Sequence, residues 1–177
     1  MVSTASVTSA GKVTLTDTRT GTSAPCQSSS MSGTLKSGSG LPGAGIGAIA
    51  AASFFCSSVI GPIRITPHGL PWQLNLSSFD IGTGVSRGTV SHVRLTFSLS
   101  GVSPACSAVI NGTSGTAADG IVAITYSDQG AKLKVLRAGG NLHWYHVQHC
   151  VGLIDNGDPA ALSGVYSISP AQTITSP

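Results

Sequence analysis

The chain is 177 residues long, 41% hydrophobic and only 8% charged, with six aspartates, no glutamate and nine Lys and Arg residues. Its net charge of +3 is scattered, with no basic run longer than Lys132-Leu133-Lys134. That excludes the clustered footprint of a nucleic-acid-binding surface. The length allows a real core in one domain. Thr, Val, Ser and Gly dominate where soluble helices would carry Glu, Lys, Ala and Leu, which is sheet and turn chemistry.

Residues 1–10 read as a loose polar arm and residues 11–177 as a single β domain. Residues 12–18 alternate Val13, Leu15 and Asp17 against Thr14, Thr16 and Thr18, the pattern of a strand with two unlike faces. After a turn at residues 20–23 the chain re-enters extended structure, with a strand predicted over 27–36. Residues 41–55 carry no charge and are rich in small side chains. They read as a glycine-rich loop feeding a buried strand over 46–56, or alternatively as a segment that inserts into a membrane. Further strands are predicted over 60–66, 72–79, 85–99, 106–111, 120–126, 132–136, 142–150 and 163–169. Residues 67–71 form a turn or edge element between two of them, and residues 127–131 a hairpin loop. The tail at 174–177 completes an edge. Helix is allowed only around 44–52 or 159–162. About ten short strands at intervals of roughly ten residues point to an all-β sandwich or barrel of antiparallel strands.

Four cysteines without any Cys-x-x-Cys spacing suit two disulfides rather than zinc. Residues 11–80 and 90–170 are faintly alike, each with a cysteine ahead of a Gly-Thr turn. That likeness suggests Cys26–Cys56 and Cys106–Cys150, with two other connectivities open. An even cysteine count with low charge favours an extracellular or cell-surface location. Met1-Val2-Ser3-Thr4-Ala5 has neither a charged n-region nor an apolar h-region, so the expectation is a mature form with a starting Met added.

Four phrases carry a resemblance: Thr14-Leu15-Thr16-Asp17-Thr18-Arg19-Thr20-Gly21-Thr22, Leu41-Pro42-Gly43-Ala44-Gly45-Ile46-Gly47, Gly69-Leu70-Pro71-Trp72-Gln73-Leu74-Asn75-Leu76 and Gly152-Leu153-Ile154-Asp155-Asn156-Gly157-Asp158-Pro159. With them the chain resembles, over nearly its full length, a family of small secreted actinobacterial proteins without an assigned activity. The resemblance implies export and a β-rich fold with paired cysteines, and supplies no catalytic residue.

The richest stretch for chemistry is 142–150, which holds His143, Trp144, Tyr145, His146 and His149. As a regular strand it places His143, Tyr145, Val147 and His149 on one face and Leu142, Trp144, His146, Gln148 and Cys150 on the other. His143 and His149 then lie about 20 Å apart, and His146 points the opposite way, so this strand alone builds no metal site. Only His68 or His92 could complete a set. Five aspartates, at 80, 119, 128, 155 and 158, sit within two residues of a glycine. That is the place of turn residues rather than of a catalytic carboxylate pair. No Gly-x-Ser-x-Gly elbow leads from strand to helix, and no calcium loop or phosphate loop is present. No cofactor is expected. Trp72, Trp144, Tyr145 and Tyr166 are candidates for a carbohydrate or apolar-ligand surface, since aromatic rings offer a flat face and a polar handle. His143, His146 and His149 join Trp72, Trp144 and Tyr145 as candidates for a ligand or interface surface, and the alternative is that the tryptophans fill the core.

The expected function is therefore a secreted, non-enzymatic binding or assembly protein of the cell envelope. Its partners would be envelope glycan or lipid, or a second copy of itself through sheet edges. The alternatives are a pore-forming protein that inserts residues 41–55 and, more weakly, an extracellular hydrolase.

Overall fold

Serine and threonine on one side of each strand, and Val, Leu, Ile and aromatic residues on the other, make a ribbon that must hide one face. Here the ribbon closes on itself. In the computed structural model residues 1–9 and 12–175 are described, residues 2–9 by backbone alone. The described residues contain no helix. The strands are β1 (Val2–Ser9), β2 (Val13–Asp17), β3 (Ser23–Lys36), β4 (Gly47–Ser57), β5 (Pro62–His68), β6 (Trp72–Asp80), β7 (Val85–Leu99), β8 (Cys106–Asn111), β9 (Gly120–Ser127), β10 (Lys132–Val135), β11 (His143–Gln148) and β12 (Ala160–Ser169).

Their pairing resolves into eight columns. Strands β3, β4, β7 and β12 are long and continuous. The other four columns each consist of two short strands end to end: β1 with β2, β5 with β6, β8 with β9, and β10 with β11. Both β1 and β2 lie between β3 and β12, and both β5 and β6 between β4 and β7. Strands β8 and β9 line the other side of β7. Next come β11, paired with β8, and β10, paired with β9. Strand β10 pairs with β12, and β11 meets the start of β12 through Ala160 N–H to Leu142 O at 2.8 Å and Trp144 N–H to Asp158 O at 2.9 Å. All these ladders are antiparallel, and each column neighbours the ones before and after it in sequence. The molecule is an eight-column up-and-down barrel, of the size whose interior side chains just fill.

Two expectations change. The arm at residues 1–10 forms β1 as far as Ser9, because its backbone fills the place between β3 and β12 that closes the ring; residue 10 lies outside the described residues. Pro67 belongs to β5 rather than to a turn. It pairs with Leu95 on β7, while β4 pairs with β5 only at Ser57–Pro62 and Cys56–Ile63. The missing N–H of Pro67 therefore faces no ladder.

The disulfides are Cys26–Cys56 and Cys106–Cys150. Both lie in the half of the barrel that ends in the β2–β3, β4–β5, β7–β8 and β11–β12 connections. Each contributes about 3–4 kcal/mol on the chain-entropy account. The opposite mouth is closed without covalent links. There Ile174 and Gln172 of the tail are buried, and Gly38 bridges Ile174 in parallel. The Tyr126 hydroxyl donates to Gln172 O at 2.5 Å. Gln172 and Ile174 thus plug the mouth, and the tail at 174–175 forms no edge strand; residues 176–177 lie outside the described residues.

Candidate functional site at the disulfide-closed mouth

Within the barrel, Trp72 and Trp144 are both buried but differ in one polar atom. The Trp72 indole N–H donates to His68 O at 2.8 Å. The Trp144 indole nitrogen is buried with no hydrogen-bond partner. A buried donor left unpaired costs about 1–3 kcal/mol, so it marks a place where a partner is missing. Trp144 packs edge-on against Phe97, ring centroids 5.4 Å apart at 85°. The two rings share the wall of a cavity of about 70 Å³ with Leu15, Ile63, Leu99 and Ile154, and Thr22, Ser23, Ser58 and Ile60 also border it. A comparable region in the other half, between Met31, Leu74, Leu133 and Ile168, leaves only about 20 Å³. The looser packing is therefore at the disulfide end.

The β11–β12 connection, residues 149–159, supplies Leu153 and Ile154 to this cavity. Cys150 anchors one end of that segment to Cys106. Thr20 Oγ1 donates to Leu153 O at 2.8 Å, and Arg19 Nη1 donates to Asp158 Oδ1 at 2.9 Å. Asp158 is 2% exposed and Arg19 76%. The Asp158 hydrogen bond and charge raise the Arg19 pKa above its ordinary value. Asp17 is fully buried, and its Oδ1 accepts the backbone N–H groups of Arg19 and Thr20. Of the six large hydrophobic residues that stand exposed among the described residues, four (Phe55, Val59, Ile60 and Val151) belong to this end. Single exposed apolar residues are ordinary; of these four, Ile60 borders the cavity itself.

The histidine-rich stretch divides among three places. The His143 ring donates its Nδ1–H to Asn141 O at 2.8 Å and lines a cleft of about 250 Å³ where β10 gives way to β11. The Tyr145 hydroxyl donates to Gly112 O at 2.6 Å, on the outer surface. A β-bulge between Tyr145 and Gln148 then breaks the alternation, with His146 at φ 50°. Such a left-handed residue costs about 1–2 kcal/mol. The extra residue reverses the phase. His146 and Gln148 turn outward, and Val147 packs on the core, so the two-face assignment holds only up to Tyr145. His149, also left-handed at φ 57°, is exposed. Trp72 and Tyr166 are core residues. Burial pushes the Tyr166 phenol up to about 12, against the pull of its Ser29 hydrogen bond. Of the predicted ligand-surface residues, Trp144 alone lines the mouth cavity, together with Cys106 of the predicted disulfides.

No family model, curated protein or solved structure matches the chain. Its chemistry must be read from its own side chains. Among the described residues no group of three or more His, Cys, Asp or Glu side chains could hold a metal ion. None of the four cavities described is lined by both a histidine and an aspartate. The residues that sequence reasoning missed are Leu15, Ile63, Phe97, Leu99 and Ile154. Their inward direction was readable from alternation, but not the gap they leave between them. Asp17 was the one aspartate without a nearby glycine, a signal that could have marked it as buried.

Proposed function

We propose that this is a secreted, non-enzymatic binding protein of the cell envelope that takes the end of an apolar chain, such as an envelope lipid tail, into its disulfide-closed mouth. The observation that carries the reading is the apolar cavity walled by an indole whose N–H has no acceptor. Barrels of eight strands that bind ligands do so at a mouth. The cavity is about half the 150 Å³ or so that admits a benzene-sized guest. Only the tip of a chain fits, and the rest would lie over Ile60 and Val59 at the rim. A head-group or ester oxygen folded back toward the wall would give the indole its missing partner. Two disulfides suit the oxidising compartment this role requires.

The inward packing of the aliphatic residues favours this reading over insertion of a pore, since a membrane barrel turns its apolar band outward and keeps a polar lumen. Residues 41–55 also fit the binding reading. Ile46 and Ile49 are core, and the outward Ser53 hydroxyl lies 2.7 Å from that of Ser30 on β3.

The test uses Trp72→Phe, which leaves Trp144 as the sole indole. Titration with decanoate below its micelle concentration should shift Trp144 fluorescence saturably, and Ala24→Leu, which fills the cavity, should abolish the shift while the fold melts no earlier. A linear, unsaturated response, or equal binding by the Ala24→Leu protein, overturns the proposal.

A further inference from the structure

The outer face of the barrel over β5, β7, β8 and β11 holds a second site, unconnected with the mouth. The strand registers arrange it in rows. Arg64 on β5 stands beside Ser98 on β7, then Ser107 on β8, then Gln148 on β11. One row further on stand Thr66, Thr96, Val109 and Tyr145. The two middle strands thus carry only small side chains, whereas the two outer strands carry the large side chains of Arg64, Gln148 and Tyr145. That is why the surface sinks into a groove of about 390 Å³ instead of bulging as a barrel wall should. Four strands at about 4.8 Å spacing make it about 14 Å across.

The bulge in β11 deepens one bank. It turns His146 outward, where the imidazole lies against Gly115. A side chain at Gly115 would put its Cβ 2.2 Å from His146 Nε2. The loop carrying Gly115 is itself braced, by Asn111 to Ala117 O and by Thr113 to Asp119. Arg94 adds a hydrogen bond to Gly115 O at 3.4 Å. His146 is thus held in position by its surroundings.

The groove's polar groups are free. Among the described residues the side chains of Arg64, Thr66, Ser98, Ser107, His146 and Gln148 form no hydrogen bond or ion pair, whereas Thr96 Oγ1 is 3.1 Å from His68 Nε2. No aspartate lines the groove. A floor of unpaired hydroxyls between a guanidinium and an imidazole matches a chain of hydroxylated rings bearing negative charge. We infer that this groove binds an anionic saccharide chain, its hydroxyls on Ser98, Ser107 and Thr66 and its acidic groups on Arg64 and His146. Guanidinium recognition of carboxylate or sulfate is charge-assisted and directional, which separates such a chain from a neutral one.

The test is calorimetric titration of the full chain with hexagalacturonate, a heparin-derived hexasaccharide and neutral maltohexaose. Binding of either acidic probe in preference to maltohexaose is expected, and which of them binds identifies the acidic group. The Arg64→Ala, His146→Gln double variant should weaken that binding about tenfold or more, and Arg87→Ala, on the far half of β7, should leave it unchanged. No binding, equal binding of the neutral chain, or equal weakening by Arg87→Ala would overturn the inference. None of these outcomes depends on the mouth cavity, because Ala24→Leu should leave saccharide binding intact.

Discussion

Two tryptophans of equal burial make unequal contributions, and the difference lies in one N–H each. Trp72→Phe loses a hydrogen bond to His68 O and leaves that carbonyl without its donor. Trp144→Phe removes a donor that had no partner. Urea unfolding should therefore show Trp72→Phe as the more destabilising by about 1–2 kcal/mol; equal losses would mean that the Trp144 N–H is satisfied after all. Tyr166 supplies a pH signature. Its phenol ionises near pH 10 in the unfolded chain but only at about 12 when folded. The stability it contributes is complete below pH 10 and is lost as pH rises from 10 to 12, a change of about 3 kcal/mol at most. Tyr166→Phe should flatten that decline, as followed by circular dichroism against pH. At this scale the sequence was partly legible. The alternation put Leu142 and Trp144 on one face, and both are buried, but nothing in His146-Val147-Gln148 announced the inserted residue that turns His146 outward. A bulge follows from pairing with β8, and pairing is not local.

Strands were legible wherever polar and apolar residues alternate, as in β2, β6 and β9. They were less so where the burial rule relaxes: β4 exposes Ala50, Ala51 and Phe55, and its register with β3 slips between Ser32 and Gly33. That slip depends on a glycine. A Cβ on Gly33 would lie 1.9 Å from Ala48 O, a backbone atom that has nowhere to go. Gly33→Ala should cost about 2–4 kcal/mol, read as a lower midpoint in urea. If it is neutral, the β3–β4 ladder is not in this register. The cysteine pairs were legible from the faint likeness of the halves, although both halves belong to one ring.

Closure of that ring was not legible, because ten strands read in a line say nothing about whether the first meets the last. The ring depends on β1, which lies between β3 and β12. Deleting residues 1–9 should uncover the β3 edge at residues 30–36 and the β12 edge at 166–169, and unpaired edges recruit other chains. Light scattering should show the shortened protein associating under conditions where the full chain does not. If both behave alike, β1 is dispensable for closure.

The two covalent braces sit in one half of the molecule, and the tail closes the other half by hydrogen bonds and packing alone. Amide hydrogen exchange should therefore be graded along the barrel axis, fastest around residues 37–46, 128–131 and 170–175 and slowest beside the cystines. Heat would open this protein from one rim, like a cask that has lost its upper hoop, while the end that we propose holds a lipid tail stays shut.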